Sequence, residues 1–345
     1  MDDVFSLIQA VVPEVNDALI QRLELMKILH NVKGRIGRKM IAERLGMTER
    51  ASRTLIEHMR EQGLVDINQQ GVTLTHFGLN TMIILQRLLT DSNSERFLDL
   101  ELKMRNKLGV DHCRVVAGNG DIDETVFEEL GHSVQDILIR HLPHRESVIA
   151  VSGGSTLAKV GKQFTAALSQ KHDITFVPTR GGFSGSYDIQ SNTIGGIMAQ
   201  QTNSRYVPLF APENVSKETS HVLQQDPSIH RAIELSKRAD SLLISVGTAE
   251  VMAERRDIDD RQRQFIADEL AVGEVFGVFF NEEGQPILRY PRMGMQLEDI
   301  DAIPLLITVV AGESKAKAIE AYYKLAPKQG WLVCDESLAN KIIYG

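Results

Sequence analysis

The sequence predicts an α/β protein in two parts, a small helical module at the N-terminus followed by a larger, doubly wound, Rossmann-like domain. Three observations support this division of the 345 residues. Helical apolar spacing dominates the first ninety residues, apolar runs alternate with helical patterns after residue 112, and the balance of charge changes between the two parts. The predicted boundaries are 1–90 for the module, 91–112 for a helical linker and 113–345 for the larger domain.

Composition places the chain among ordinary globular proteins, with 43% hydrophobic and 24% charged residues. The only cysteines, Cys113 and Cys334, exclude a disulfide framework and fit a reducing compartment. No apolar run reaches the roughly 20 residues of a membrane helix. The first residues are acidic where a secretory signal would be basic. We therefore expect a cytoplasmic protein.

Charge is distributed unevenly along the chain. The net charge of −8 argues at first against a nucleic-acid partner. Between Arg22 and Arg60, however, ten lysines and arginines face only four acidic residues, whereas residues 91–345 carry 27 basic and 36 acidic residues. A basic module joined to an acidic domain suits a protein whose first part meets phosphates, although a merely solvated basic face would give the same counts.

The basic segment has the pattern of a helix-turn-helix. It predicts a short helix from about Arg38 to Leu45, a turn at Gly46, and a second helix after Thr48 that ends at Gly63. Thr48 suits an N-cap because its hydroxyl can accept a free first-turn N–H, and glycine suits a helix end. The expected small core consists of Ile41, Ala42, Leu45, Met47, Ala51, Leu55 and Met59.

A β-hairpin is predicted directly after the second helix. LVDI and VTLT alternate apolar and polar residues, with NQQG between them as a turn, which together indicate a wing. Arg50 and Arg53 lie on one face near the start of the second helix, where a recognition helix meets base edges. A helical hairpin used only for packing is the alternative. The predicted DNA-contacting residues are Arg35, Arg38, Lys39, Thr48, Arg50, Ser52, Arg53 and His58.

From Thr75 to about Leu108 the spacing predicts one long helix or two, interrupted by the polar stretch at 90–95, the predicted domain linker. The apolar stripe of this segment would either pair subunits or cover the core of the module. It comprises Phe77, Met82, Leu85, Leu88 and Leu89.

Seven apolar runs separated by helical patterns predict a largely parallel sheet. The runs are CRVVAG, SVIAVSGG, ITFVPTRGG, YVPLF, SLLISVG, LLITVVAG and WLVCDE. Helices are predicted at 123–141, 157–170 and 315–325. Because ligands of such sheets bind beyond the carboxyl ends of the strands, the residues that follow each run are the candidate site.

A glycine loop, Ser152 to Thr156, follows the second run and leads into a helix. Backbone N–H groups and hydroxyls in such a loop can bind an anion. The loop lacks the lysine of a Walker motif, the spacing of a dinucleotide fingerprint and the context of a hydrolase elbow. A tight turn capped by Ser155 or Thr156 is the alternative.

Other loops at the same edge add polar and cationic groups. Arg180 follows the third run on a glycine-rich loop, and its planar guanidinium group could bind a phosphate through two hydrogen bonds. Gln190 and Asn192 open a helix and would hydrogen-bond sugar hydroxyls, although Asn192 also suits a cap. Lys315 near a helix start opposes the helix dipole, which suggests an anion nearby, although a flexible surface lysine also tolerates that position. The predicted effector-binding residues are Ser152, Gly153, Gly154, Ser155, Thr156, Arg180, Gly181, Gln190, Asn192, Arg255, Glu274 and Lys315.

Cationic groups at two places in this set would bind a ligand with a phosphate at each end. Arg255 is paired with Arg256 in the sequence, so a solvated charge pair is an alternative for this position. Glu274 follows Gly273 at a predicted loop. No HExxH, CxxC or histidine cluster occurs, so the sequence predicts neither a metal nor a cofactor.

The ordered motifs GGST, TRGGF, IQSNTI, LLISVG, VGEVFGVFFNEEGQPI and WLVCDE, with the long block from Gly294 to Tyr323, resemble the SorC/DeoR-type sugar-responsive regulators of bacteria. The resemblance covers nearly the whole chain, and within the family it is greatest to regulators of glycolytic genes. It implies a repressor whose effector is fructose-1,6-bisphosphate and whose effector domain is similar to glucosamine-6-phosphate deaminase and ribose-5-phosphate isomerase.

By motif, the resemblance puts the family's phosphate loop at Gly153 to Thr156 and its phosphate-binding arginines at Arg180 and Arg255. The effector-facing Gln, Glu and Lys match Gln190, Glu274 and Lys315. The sequence departs from the family pattern in having Ser155 where a second threonine is common, and Thr179 before the arginine. A homodimer or homotetramer is expected, because a single winged helix covers few base pairs of operator DNA.

The alternative is an active sugar-phosphate isomerase or deaminase of the same fold. Such enzymes need acid–base carboxylates beside the sugar. Related isomerases have paired acids after the strand that here reads SLLISVGTAEVM, whereas this loop carries Thr248 and Ala249, with only Glu250 beyond. We therefore expect a regulator without catalytic residues. A purely architectural DNA-binding protein would not explain the glycine-rich anion loops.

Overall fold

The computed structural model describes residues 14–32, 35–68, 70–82, 85, 94–182, 186–256 and 258–345. The chain divides into two compact units, Met1–Arg96 and Phe97–Gly345, which are described separately. None of the helices in the described ranges combines the length and apolarity needed to span a bilayer.

The smaller unit has the predicted helix-turn-helix and wing. Gly46 and Gly63 adopt positive φ values of 63° and 74°, which glycine reaches without a Cβ clash, at the turn and at the end of the second helix. The Thr48 hydroxyl accepts a hydrogen bond from Ala51 N at 3.2 Å. The elements are α1 Glu14–Asn31, α2 Arg38–Arg44, α3 Glu49–Glu61, the antiparallel strands β1 Val65–Asn68 and β2 Gly71–Leu74, and α4 at 76–82.

A small apolar core holds this unit together. Ile41 of α2 and Met59 of α3 were both predicted to lie in this core, and both are fully buried. Ile56 of α3 is also fully buried. Ile36 exchanges two backbone hydrogen bonds with Val72 of the wing, which ties the segment before α2 to the hairpin. Of the predicted core set, Ala51 instead is exposed, because it lies on the outer face of α3 near its start.

The larger unit contains a seven-stranded sheet that is parallel throughout. The strands of the larger unit are β3 His112–Val116, β4 Ser147–Val151, β5 Ile174–Pro178, β6 Arg205–Tyr206, β7 Ser241–Ile244, β8 Gly247–Thr248, β9 Gly273–Val275, β10 Val278–Phe280, β11 Pro286–Arg289, β12 Leu305–Val310 and β13 Trp331–Asp335. The parallel sheet has the order β3-β13-β12-β7-β4-β5-β6. Six of the seven predicted runs coincide with its strands, and the run YVPLF meets β6 only at Tyr206. The doubly wound fold is confirmed.

Helices cover both faces of the sheet, and two apolar clusters form the corresponding core layers. The helices are α5 Ser94–Leu108, α6 Val126–His141, α7 Ser155–Gly161, α8 Ser191–Gln201, α9 Lys217–Leu223, α10 Pro227–Lys237, α11 Ala249–Arg255, α12 Asp260–Asp268, α13 Ala316–Leu325 and α14 Glu336–Tyr344. The helix predicted at 157–170 is shorter than expected, since α7 ends at Gly161.

A second, antiparallel sheet in the order β11-β10-β9-β8 was absent from the predicted elements. Its strands are two to four residues long. Such short strands leave too few alternations for the sequence to reveal them. Glu274 consequently lies within β9, not in the loop predicted for it. A two-residue turn of Phe276 and Gly277, both with positive φ, joins β9 to β10.

The predicted linker at 91–112 needs a correction. Its helix, α5, belongs to the larger unit, because Leu100, Met104 and Leu108 are buried in the same cluster as Cys113 and Val115 of β3. Packing therefore makes this helix part of the domain. Residues 86–93, which hold most of the polar stretch predicted to separate the domains, lie outside the described residues.

Candidate DNA-binding surface and effector cavity

The recognition-helix candidate α3 presents arginines to solvent. Arg50, Arg53 and His58 are exposed on it, as is Thr48 at its cap. Arg38 and Lys39 are exposed at the start of α2. The predicted base-reading and phosphate-contacting cations of the two helices are therefore at the surface, where a duplex can reach them.

Ser52 does not share this surface. It is fully buried in the core of the unit, and its hydroxyl has no hydrogen-bond partner. Two residues along a helix turn the side chain by about 200°, so Ser52 faces away from Arg50. Its predicted contact with DNA is wrong. Its small side chain instead lets α3 pack closely on its neighbours.

Arg35 is already engaged with the wing. Its guanidinium donates to the Asp66 carboxylate at 2.6 Å and to the Gly71 carbonyl at 3.3 Å. The hydrogen bond from Arg35 lowers the pKa of Asp66. Arg38 lies 3.6 Å from Glu57, which also pairs at 2.9 Å with Arg60, an exposed cation of α3 that the sequence interpretation missed.

In the larger unit, a cavity of about 550 Å³ opens at the carboxyl ends of the central strands. Loops that follow β4, β5, β7 and β12 all reach it. Nine predicted effector residues line the cavity wall: Ser152, Gly153, Gly154, Ser155, Thr156, Arg180, Arg255, Glu274 and Lys315.

The glycine loop forms one side of the cavity by close approach of main chain. A Cβ on Gly153 would lie 2.3 Å from an Arg180 Nη2 and 2.8 Å from the Ile189 carbonyl, so only glycine fits there. Gly154 has φ of 128°, a conformation that L side chains rarely adopt. Glycine at 153 avoids a clash with Arg180 and Ile189, and glycine at 154 allows the positive φ of the loop.

Lys315 brings a cation to this loop. Its Nζ donates to the buried Thr156 hydroxyl at 3.0 Å. Desolvation of the ammonium group lowers the pKa of Lys315 to about 8, with Arg255 and Lys159 adding repulsion and Asp121 opposing it. A cation in this state gains from an anion placed beside it. The arrangement therefore suits a phosphate between the loop and Lys315.

Two further cations extend this side of the cavity. Arg255 lies at the end of α11, with Nη2 3.5 Å from the Ser155 hydroxyl. Lys159 lines the cavity one turn beyond Ser155, over the Phe127 ring and 3.0 Å from Glu124. The sequence interpretation missed Lys159, although its spacing from Ser155 on a helix puts the two on one face.

Three arginines that line the cavity, Arg180, Arg256 and Arg292, belong to a buried ion network around Glu213. Glu213 is 3.2 Å from Arg180, 3.1 Å from Arg256 and 3.9 Å from Arg292. Arg256 also pairs with Glu274 at 2.8 Å. Glu213, Arg256 and Arg292 were not among the predicted site residues. Glu213 comes three residues after the predicted run YVPLF, so the strand-end rule reaches it, but a carboxylate does not suggest an anion-binding site. Arg292 follows no predicted strand of the main sheet, so the rule gives no signal for it.

Three predicted effector residues lie outside the cavity wall. The Asn192 amide bonds both backbone groups of Leu209, with its Oδ1 also accepting from Tyr206. A Cβ on Gly181 would lie 2.2 Å from the Ala211 carbonyl. Gln190 precedes α8 and donates from Nε2 to the Ser186 carbonyl at 3.3 Å. Asn192 and Gly181 therefore hold the loops near the cavity in place, Asn192 through its hydrogen bonds to Leu209 and Gly181 through its close approach to Ala211.

The described part of the chain brings together no group of three His, Cys, Asp or Glu side chains with metal-binding geometry. The polar set of the cavity is instead dominated by guanidinium and ammonium groups, hydroxyls and backbone amides, which are the partners of an anionic ligand.

An exposed basic helix on a winged helix-turn-helix and an anion-binding cavity in a second domain define a ligand-responsive transcription regulator. Residues 19–89 match the CggR N-terminal DNA binding domain, and residues 92–344 match the Sugar-bind family of sugar-binding domains. The chain belongs to the SorC/DeoR family of sugar-responsive transcription regulators.

Relatives and solved structures agree with this assignment. The chain is 34% identical over 340 residues to the central glycolytic genes regulator of Bacillus subtilis, covering 98% of each. A SorC family transcriptional regulator from Enterococcus faecalis is 39% identical, with a TM-score of 0.68, covering 71% of this chain and 99% of that one. The full-length sorbitol operon regulator of Klebsiella pneumoniae shares the fold, at 16% identity and a TM-score of 0.66 over 89% of this chain and 94% of its own.

Proposed function

We propose that the protein is a repressor of glycolytic genes that leaves its operator when fructose-1,6-bisphosphate occupies the cavity. The observation that carries the proposal is the pairing of the buried Lys315 ammonium with Thr156 of the glycine loop, in a chain whose other domain exposes Arg50 and Arg53. The similarity to the regulator named for the central glycolytic genes supports the choice of target genes.

The cavity fits a phosphorylated sugar. Its volume of about 550 Å³ lies within the range of small-molecule sites. Lys315, Arg255 and the glycine loop would supply one anionic subsite, and Arg180 lines the same cavity with its Nη2 beside Gly153. Asp121 and Glu250 also line the wall, where carboxylates can accept hydrogen bonds from sugar hydroxyls.

Operator recognition would use α3 in the major groove. Arg50 and Arg53 suit guanine edges, and Arg38 and Lys39 suit backbone phosphates. We propose a homodimer or homotetramer in the cytoplasm, because two or more winged helices are needed to cover an operator of useful length. A coupling free energy of ~1–3 kcal/mol between effector and DNA would be typical.

The enzyme alternative would need a free acid–base carboxylate beside the sugar. Glu274 accepts hydrogen bonds at Oε1 from Arg256 and from Gly277 N, so that oxygen is already committed. Of the other carboxylates that line the cavity, Asp121 accepts hydrogen bonds from Ser314 N and Oγ, and Glu250 is exposed. We therefore propose a regulator without catalytic activity. Turnover of fructose or glucosamine phosphates by the purified chain would contradict this part of the proposal.

Operator release provides the main test. The purified full chain is bound to a fluorescent duplex selected from the genomic DNA of its source, and anisotropy is followed during titration with fructose-1,6-bisphosphate, fructose-6-phosphate and inorganic phosphate. We expect the bisphosphate to release the duplex at concentrations where the other two do not. An unchanged anisotropy with all three would refute the proposed effector class.

A further inference from the structure

The last strand of the main sheet ends in a carboxylate that has no exposed surface. Asp335 closes β13, which lies between β3 and β12, and it is also the N-cap of α14. Its Oδ1 accepts a hydrogen bond from Leu338 N at 3.0 Å. An N-cap needs only one such oxygen, which serine, threonine or asparagine would supply as well. The cap alone therefore does not explain a carboxylate at this buried position.

The second carboxylate oxygen holds the loops that follow both neighbouring strands. Asp335 Oδ2 accepts hydrogen bonds from Gly120 N, beyond β3, at 2.6 Å and from Gly312 N, beyond β12, at 2.8 Å. The two loops also meet each other directly, because Asp121 accepts hydrogen bonds from Ser314 N and from the Ser314 hydroxyl, each at 3.1 Å. One buried group thus fixes the relative position of two loops that line the cavity.

One of these loops carries Lys315 into the cavity. Glu313–Lys315 form a short 3₁₀ turn, in which Lys315 N donates to the Gly312 carbonyl at 3.2 Å. The N–H of Gly312, at the start of this turn, is the one that Asp335 binds. At the far end of the lysine side chain, Nζ donates to the Thr156 hydroxyl at 3.0 Å. The lysine is therefore held at both ends, by Asp335 through the backbone and by the glycine loop through its ammonium group.

Asp335 also acts on the charge of Lys315. The pKa of Lys315 is lowered to about 8, mainly by desolvation, and repulsion from Arg255 and Lys159 acts in the same direction. Asp121 and Asp335 act in the opposite direction, because a negative charge nearby favours the ammonium form. The buried carboxylate thus helps to keep the ammonium group charged near pH 7, where it can bind a phosphate.

We infer that Asp335 is a positioning residue of the effector site, which holds the loop of Lys315 in place and so sets the ammonium group where the phosphate is bound. This inference rests on the proposed function and extends it to a residue that is itself fully buried. A change at Asp335 should affect the effector through Lys315, and not through the fold as a whole.

Asp335→Asn tests the inference, because asparagine keeps the size and the helix cap but has one acceptor oxygen in place of two. Its amide N–H groups would face the N–H groups of Gly120 and Gly312, donor against donor. Calorimetry on the full chain should show about tenfold weaker binding of fructose-1,6-bisphosphate, the lower end of what one charge-assisted hydrogen bond to phosphate contributes. An unchanged affinity would overturn the inference.

A double-mutant cycle separates positioning from a general loss of structure. Asp335→Asn should weaken binding about tenfold in the wild-type background but by less than about twofold in Lys315→Met, where no ammonium group remains to be placed. An equal loss in both backgrounds would show that Asp335 acts through the fold, and the inference would be wrong.

The pH profile of binding is a second readout, which a structural role would not move. In the wild type, affinity should begin to fall at about pH 8, as Lys315 loses its proton. Removing the negative charge of Asp335 lowers the pKa of Lys315, so the fall should begin at a lower pH in Asp335→Asn. Coincident profiles would exclude Lys315 as the group that Asp335 places, and would overturn the inference.

Asp226→Asn is the matched control. Asp226 is the N-cap of α10 and accepts hydrogen bonds from Ser228 N and Ile229 N, but it is exposed. The same substitution there should leave both the affinity and the pH profile as in the wild type. A melting curve of each variant monitors the fold. If Asp335→Asn does not fold, Asp335→Ser, which also caps a helix, repeats the comparison. Failure of both variants to fold would show a purely structural role and refute the inference.

The outcome is separable from that of the proposed function. A chain that binds the bisphosphate with the help of Asp335 but keeps its operator in the presence of that sugar would refute the proposed release and uphold the inference. A chain that releases its operator normally, and binds the sugar equally well as Asp335→Asn, would do the reverse. If the wild type does not bind the bisphosphate, the proposed effector is refuted, and the same cycle measured with inorganic phosphate decides the inference.

Discussion

Replacing Lys315 by methionine should stabilise the ligand-free protein while it weakens effector binding. Desolvation lowers the pKa of Lys315 to about 8 from the usual 10.5. One pKa unit corresponds to 1.36 kcal/mol, so burying the charged ammonium group lowers the free energy of unfolding by at most about 3 kcal/mol near pH 7. Methionine also loses the hydrogen bond to Thr156, which offsets about 1 kcal/mol of the gain in the free energy of unfolding. We therefore expect the free energy of unfolding to rise by roughly 1–2 kcal/mol.

Effector affinity should change in the opposite direction. A charge-assisted hydrogen bond to phosphate contributes about 1.5–3 kcal/mol, so Lys315→Met should bind fructose-1,6-bisphosphate ~10- to 100-fold more weakly. Lys317→Met is the control, because Lys317 is exposed two residues beyond Lys315, on α13, and forms an ion pair with Glu282. Urea denaturation gives the stability and calorimetry gives the affinity. A variant that is both less stable and fully able to bind would refute this reasoning.

The pH dependence follows from the same group. The folded pKa of Lys315 is depressed, so between about pH 8 and pH 10.5 the unfolded chain binds more protons than the folded one. The destabilisation caused by the buried charge is present in full below pH 8 and disappears as the pH rises through this window. The stability difference between the wild type and Lys315→Met should therefore shrink from pH 8 upward, and a difference independent of pH would contradict the assignment.

Three other substitutions separate the roles of neighbouring residues. Arg53→Ala should weaken operator binding by about 1–3 kcal/mol in an anisotropy titration and leave bisphosphate binding intact, whereas Arg140→Ala on the exposed face of the effector domain should change neither. Ser52→Ala should leave operator affinity and stability nearly unchanged, because its hydroxyl has no partner to lose; a large loss of DNA binding would restore it to the interface. Asn192→Ala should lower the free energy of unfolding by about 1–3 kcal/mol, because it loses the hydrogen bonds to Leu209. The ratio of bisphosphate to monophosphate affinity should stay constant. A changed ratio would show that the amide contacts the ligand.

Much of this fold is readable from the sequence because its signals are local. Six of the seven strands of the main sheet coincide with apolar runs, and α3 of the smaller unit has Thr48 as its N-cap and Gly63 just after its end. The strand-end rule then finds Thr156 and Arg180 without a structure, since carboxyl ends of parallel strands share one edge.

The remaining features depend on contacts between distant segments. Glu213 meets Arg292 across 79 positions only because two loops pack behind the cavity. Ser52 fits the polar pattern of α3, yet it occupies a core position where close packing requires a small side chain. Asn192 suits a sugar ligand or a backbone clamp equally well by residue type, and only the position of Leu209 decides between them.

The central claim is that one chain couples a sugar bisphosphate to operator DNA, and reciprocity offers the most direct measurement of it. If the bisphosphate weakens operator binding by some factor, the operator must weaken bisphosphate binding by the same factor, typically about 5- to 150-fold. Calorimetric titration of fructose-1,6-bisphosphate into the full chain, alone and saturated with operator duplex, measures that factor. We predict weaker binding to the DNA complex, matching the release seen by anisotropy; equal affinities in the two titrations would contradict the account.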